Sequence, residues 1–354
     1  MKFLNLESNK MILKSTMKRL FAAVPALMAL STLLIFNSCK STKNAVVTQE
    51  APKTTVENYD LADALLWKIE GKGLTEPSYL YGTIHMIDEE SFFWPQGTLA
   101  AFEDAESVAF EIDMDEMKDP AAIMGIMSKA MMNDGKGLKD LYSAEDYEFV
   151  KNHFTEMGIP FMLMERLKPM FLTVFASGDM EFGQGFGEGT GVKSYEMEFW
   201  DLAKGSNKDV SGLETIDFQL SVFDSIPYEA QAEMLLETIK SGGEGTDDTM
   251  EQMVQMYKDQ DISKMVSFMS EVEEGGIQGY EDVLLYKRNK NWIPIMGDKM
   301  TKGQVFFAVG AGHLGGKDGV IDLLKKEGYK LTPCLLYTSP SPRDATLSRM
   351  PSSA

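Results

Sequence analysis

The chain runs to 354 residues and carries a formal net charge of -20 at pH 7. That balance excludes a nucleic-acid binder, which needs a basic face, and the length suits one large domain or two small ones with a sizeable buried core. Cys39 and Cys334, its two cysteines, both fall outside the expected folded part, so disulfides and cysteine metal centres are excluded there, and the 26 methionines read as core filler.

Lys18 and Arg19 precede an apolar run over residues 20–36, closed by Asn37, Ser38 and Cys39. A basic start, a short apolar stretch and a small residue before a cysteine describe a secretory signal, and residues 34–39 resemble a bacterial lipobox. Residues 1–38 are read as a signal peptide, with Met17 as an alternative start, and Cys39 as the lipidated residue. Polar residues to position 57 form a flexible tether. The expected setting is the bacterial envelope, held to the lipid membrane by that anchor. Lys40 and Lys43 make the start of the tether basic rather than acidic, which points to the periplasmic face of the outer membrane.

The folded part is expected over residues 58–333. Short β-rich runs at 66–70 and 78–84, separated by Gly71, Gly73 and Pro77, predict a hairpin-like entry. Pro95 opens a helix through Ala105, and 107–112 reads as a buried strand. Ser143 caps a helix to Met157 with Gly158 behind it, and a second apolar helix over 161–177 is interrupted near Pro169. The Gly-rich stretch 182–191 is a loop; 192–204 is an amphipathic helix closed by Gly205. A strand at 209–213 and helices at 215–226, 228–240 and 248–258 follow, with 241–247 as a mobile connector. The continuous apolar run 305–309 predicts a strand covered on both faces. A Gly-rich turn over 310–316, a helix with Val320, Leu323 and Leu324 on one face, and a closing strand at 329–332 complete the pattern. The class is mixed α/β: a central mixed sheet from the N- and C-terminal parts, with a helical middle segment. Residues 334–344 and 348–354 back-translate in one frame to a transposon-type sequencing adapter, so 334–354 are read as adapter read-through rather than protein.

Chemistry concentrates in the histidines, of which there are three. His85 and His313 each close a G-x-x-H motif, from Gly82 and from Gly310, just after an apolar strand. Ligands of open α/β sheets sit beyond the carboxyl ends of strands, and glycine permits a sharp turn there. Glu111, an acid inside an apolar run, needs a partner or a metal. A single such histidine is more often a satisfied turn residue; two in matched frames reverse that preference. Two imidazoles and a carboxylate suit a divalent metal with open positions for water, with manganese, cobalt and zinc as the candidates. Alternatively one histidine is a general base oriented by Glu111. His153, on the polar side of its helix, reads as structural.

At these residues the chain resembles the TraB/GumN family, which includes the Tiki membrane proteases. Residues 66–69, the Gly82–His85 turn and the strand with Phe110, Glu111 and Asp113 are similar to its first motif block. Residues 309–314 with Gly316, Gly319, Leu323, Leu324, Gly328 and Tyr329 are similar to its last; Gly212 to Thr215, Gln219, Arg288 and Asn289 fit between. The resemblance implies a fold similar to erythromycin esterase and ChaN-like proteins. Its Tiki branch implies a metal-dependent peptidase using His85, Glu111 and His313 on a peptide or protein substrate. Arg288 and Asn289 then orient the ligands or stabilise an oxyanion, and Glu214 either orients a site residue or merely sits in a turn. The alternative function is a non-catalytic envelope protein that sequesters a peptide signal or a haem-like ligand; an esterase would differ from the peptidase only in the bond cut.

Overall fold

A computed structural model describes residues 61–116, 120–158, 160–176, 191–240, 244–272 and 280–335. The expected signal peptide, Cys39 and the tether lie outside them, as do residues 177–190, with all of the expected loop except Gly191, and all of the adapter-like tail except Cys334 and Leu335. The Cys334 N–H donates to the Leu66 carbonyl at 2.8 Å, a main-chain bond that any residue at that position makes.

Two sheets organise the chain. Strands β1 (Leu66–Gly71), β2 (Ser78–Thr83), β4 (Ser107–Ile112), β6 (Asp209–Glu214), β7 (Val305–Gly310) and β8 (Tyr329–Pro333) form one sheet in the order β6-β4-β7-β2-β1-β8. β3 (Ile87–Asp88) and β5 (Val192–Lys193) pair separately as a short antiparallel ribbon. Within the large sheet β6, β4, β7 and β2 run parallel, while β1 is antiparallel to both β2 and β8. The sheet is therefore mixed, and the expected hairpin entry is β1–β2. β2 and β7 are buried along their whole length, as the unbroken apolar run of β7 requires for a parallel strand covered on both faces.

Eleven helices surround it among the described residues. They are α1 (Thr98–Asp104), α2 (Pro120–Ala130), α3 (Ala144–Glu156), α4 (Pro169–Ala176), α5 (Tyr195–Gly205), α6 (Ile216–Phe223), α7 (Tyr228–Lys240), α8 (Glu244–Lys258), α9 (Ile262–Val272), α10 (Lys287–Met300) and α11 (Val320–Lys326). Local signals hold where capping chemistry was explicit. Ser143 accepts from the Asp146 N–H at the start of α3, and Gly158 behind it has φ +75°, the left-handed value that suits glycine after a helix.

Several expectations are corrected. The helix after Pro95 begins only at Thr98, because Gly97 takes φ +85°. Residues 161–163 form a 3-10 turn and not part of a long helix, so α4 starts at Pro169, where proline suits a first turn. Val192 and Lys193 are strand, not helix, because they pair with Asp88 and Ile87. The expected connector 241–247 is shorter, since α8 already includes Glu244 to Asp247. α9 and the helical stretch from Asp282 to Met300 were not anticipated; Pro294 and Gly297 inside α10 hide its period.

The core that fixes the sheet against α5 is aromatic. Tyr81 of β2 and Phe306 of β7 pack on Phe199 with ring centroids 5.0 and 4.8 Å away, and Phe102 of α1 lies 5.4 Å from Phe306. Tyr195, Phe199 and Ala203, spaced by four, are the buried face of α5. At the other edge Gly212 of β6 lies so close to β4 that a Cβ would stand 2.6 Å from the Asp113 nitrogen and 2.9 Å from the Ile112 carbonyl carbon. Gly212→Ala is expected to destabilise the protein by about 1–3 kcal/mol, because backbone, not a side-chain end, must yield. Chemical denaturation reads this; a midpoint equal to wild type would show that β4 and β6 separate without cost.

Candidate active site

The parallel strands end together. Thr83 pairs with Gly310 and Ile112 with Glu214, so the carboxyl ends of β2, β7, β4 and β6 share one rim. The chain leaves β4 towards β6 on one edge and leaves β7 towards β8 on the other, and crevices of such sheets open where those directions part. This rim brings together His85, Glu111, Glu214, Arg288, Asn289 and His313.

Gly82 and Gly310 lie inside β2 and β7 rather than in turns of their own. Neither needs a left-handed conformation; Gly310 has φ −51° and ψ 135°. Close approach explains Gly82, where a Cβ would stand 3.1 Å from Ala311 Cα, Ala311 Cβ and Leu314 Cδ2. For Gly82 the turn reading is thereby corrected to one of strand packing, while Gly310 ends β7 directly before the 3-10 turn Ala311–His313.

Arg288 stands at the centre. It sits just after a π-helical turn (Asp282–Tyr286), a distortion that often marks functional positions. Its Nε donates to Glu214 Oε1 at 3.0 Å and Oε2 at 3.2 Å. Nη2 donates to Glu111 Oε2 at 2.5 Å and Glu214 Oε1 at 2.7 Å, while Nη1 reaches the Leu284 carbonyl at 3.0 Å and His313 Nε2 at 3.2 Å. A guanidinium has five N–H groups, and these partners use all of them. In this arrangement every Arg288 N–H already has a partner.

The other side chains are equally committed. Glu111 Oε1 accepts from the Gly310 N–H at 2.9 Å, and Oε2 also accepts from Gln219 Nε2 at 3.2 Å. Glu214 accepts from Trp292 Nε1 at 2.9 Å as well as from Arg288. Asn289 Nδ2 donates to the Asp318 carbonyl at 2.9 Å, which leaves its Oδ1 to accept from His313 Nδ1 at 2.7 Å. With the proton on Nδ1, His313 Nε2 carries the lone pair that takes the Arg288 N–H.

His85 has a different neighbour, one the sequence reading missed. Its Nδ1 lies 2.7 Å from Oε1 of Glu196, a buried carboxylate in the first turn of α5. The same oxygen accepts from Thr83 Oγ1 at 2.5 Å, and Oε2 accepts from Ser194 Oγ at 2.9 Å. His85 Nε2 is buried and has no hydrogen-bond partner among the described residues. The usable signal for Glu196 was an acid on the buried face of an amphipathic helix, beside Tyr195. His153 bonds the Ala176 carbonyl through Nε2 at 2.8 Å, as its structural reading expected.

The electrostatics separate the two motif histidines. Burial lowers the proton affinity of His85, but the charge and hydrogen bond of Glu196 outweigh it, and the net shift is upward. Burial and the Arg288 charge push His313 down to about 3, against the pull of Glu111, so this ring is neutral. Burial raises Glu111, yet Arg288, both histidines and the Gly310 N–H hold it well below the usual carboxylate range. These mutual effects place His85, Glu111, Arg288 and His313 in one electrostatic group.

An α/β protein with two rim histidines, a buried carboxylate and a shared arginine is thus defined by fold and site. The chain belongs to the TraB/PrgY/gumN family, whose model matches residues 65–333. It is 24% identical to Metalloprotease TIKI1 of Danio rerio over 79% of this chain and 64% of that protein. It is 24% identical to Metalloprotease TIKI2 of Xenopus tropicalis, over 76% and 59%, and 23% identical to Metalloprotease TIKI1 of Homo sapiens, over 76% and 61%. The chain spans about three-fifths of the length of these relatives. No solved structure matches it.

Names of that kind imply a divalent metal, and the donors can be tested against one. Metal-bound histidines typically anchor their second ring nitrogen on a carboxylate or carbonyl, as Glu196 and Asn289 do here. His85 Nε2 is a buried nitrogen lacking a partner among the described residues, and His313 Nε2 lies 3.7 Å from Glu111 Oε1. Two ligands on one tetrahedral ion stand roughly 3.4 Å apart at bond lengths near 2.1 Å. Each of these donors is of a kind that ligates divalent metals. They are not gathered into a ready cluster of three among the described residues, and the single lone pair of His313 Nε2 serves either Arg288 or a metal.

Removing Arg288 should be costly whatever the chemistry. Arg288→Met leaves Glu111 and Glu214 buried against each other without a counter-charge, and a loss of about 3–5 kcal/mol is expected in denaturant unfolding at neutral pH. A loss below about 1 kcal/mol would mean that neither carboxylate depends on the pair for its place.

Proposed function

We propose that this protein is a divalent-metal-dependent peptidase acting on peptides or exported proteins at the bacterial envelope, tethered to the periplasmic face of the outer membrane by a lipidated Cys39. The observation that carries the enzymatic reading is the pairing of both G-x-x-H histidines, each anchored through Nδ1, around the buried carboxylate Glu111. The relatives named metalloproteases support the reaction class.

His85, Glu111 and His313 would hold the metal. When bound, it would lower the pKa of a water molecule and polarise the scissile carbonyl. The chain's own residues do the rest. Asn289 keeps the proton of His313 on Nδ1, leaving Nε2 as a neutral donor. Arg288 holds Glu111 ionised and aimed along the rim, and Glu214 with Trp292 keeps Arg288 in that posture. Burial of the group excludes bulk water and strengthens each of these interactions.

One observation favours a second reading. Arg288 already occupies the lone pair of His313, so of the two it is His85 that offers a nitrogen with no partner among the described residues, which suits a metal-independent general base. Sequestration of a peptide signal or a haem-like ligand without turnover is the remaining outcome.

Metal content and cleavage of a peptide library by the purified protein separate these, with wild type beside the His85→Ala/His313→Ala double variant. The expected result is bound metal and cleavage in the wild type, both lost in a folded double variant and cleavage lost on chelation. Cleavage that survives exhaustive chelation but not His85→Ala would move the assignment to the general base. A metal-free, inert wild type would leave the binder.

A further inference from the structure

His85 and His313 occupy matched motifs, yet their rings are oriented by unlike partners on unrelated elements. Asn289, from α10, is a neutral amide. Glu196, from α5, is a carboxylate, and five features of the fold are arranged around its contact with His85. The β3–β5 ribbon pairs Ile87 with Lys193, tying the segment after His85 to the segment before Glu196. Thr83, two residues before His85, and Ser194, two before Glu196, each donate a hydroxyl to one oxygen of the carboxylate. Tyr195 and Phe199 fasten α5 to Tyr81 of β2 on either side of Glu196 in the helix. The first helical turn favours an anion there. Finally, among the described residues Nε2 of His85 has no hydrogen-bond partner, so there the ring bonds through Nδ1.

A buried carboxylate is expensive unless paired. Two hydroxyl donors could be met by an amide at lower cost; the ionisable partner is His85. We propose that Glu196 is the positioning residue of this site: it fixes the tautomer and orientation of His85 so that Nε2 meets the rim with its lone pair. The assignment deepens the function proposed above, but its ring-tautomer consequence holds for a metal ligand and for a general base alike.

Long-range 1H–15N spectra of the histidine rings in the full-length protein test this in alkaline buffer, where the rings are neutral. Signals are assigned with His153→Gln and His313→Gln. Wild-type His85 is expected as the Nδ1–H tautomer. Glu196→Ala should move it to a mixture with Nε2–H and weaken binding of Mn2+ or Co2+ on the order of 10–100-fold. Glu196→Asp should recover part of both losses. Ser194→Ala, which removes one hydroxyl from the same carboxylate, should leave the tautomer as in wild type. If Glu196→Ala does not fold, Glu196→Gln supplies the reading, because its amide presents N–H₂ as readily as oxygen and should also erode the Nδ1–H form. Folded Glu196 variants with an unchanged His85 tautomer would overturn the proposal. A tautomer change in a protein that binds neither metal would uphold it while counting against the metal reading.

Discussion

One guanidinium joins its own helical stretch to three parts of the chain that are distant in sequence. Arg288 meets Glu111 from β4, Glu214 from the end of β6, Leu284 from the π-helical turn and His313 from the turn after β7. Parallel register makes such a bridge necessary. Setting Ile112 opposite Glu214 brings two carboxylates to the same buried rim, where alone they would repel. A lysine offers a point charge; the planar fork of arginine divides its donors between two acids, a carbonyl and an imidazole at once. The edge of the sheet and the posture of α10 therefore depend on the same five N–H groups that arrange the site.

The second organising contact is the His85–Glu196 pair. It is built from short-range pieces: a ribbon of two residues per strand, two hydroxyls and one helix turn. Its consequence is chemical asymmetry. Two histidines in the same local motif are shifted in opposite directions: Glu196 outweighs burial at His85, whereas burial and the Arg288 charge outweigh Glu111 at His313. In a low-dielectric rim burial and the neighbouring charges together, not the motif, decide the direction of the shift.

Gly212 and Gly82 show the same theme at the level of packing. Each is small because backbone or a neighbouring turn passes too close for a Cβ. Neither serves a left-handed turn, so the expectation for Gly82 was right about the residue and wrong about the reason.

The sequence by itself determined the large sheet strands, the capped helix after Ser143, the pairing of the two G-x-x-H motifs and the isolation of Glu111 in an apolar run. Those signals are local, since strand burial, capping and an acid among apolar residues are written in consecutive positions. Tertiary structure decided the rest. Val192 and Lys193 read as helix until Ile87 and Asp88 supplied a partner strand, and that pairing brings Glu196 to His85. Arg288 and Asn289 were visible as motif residues, yet their roles followed from where a helix interrupted by Pro294 carries them. Charges that meet across 74 to 177 residues of chain leave no local pattern. Long-range contact, not propensity, made two similar histidines into different chemical groups.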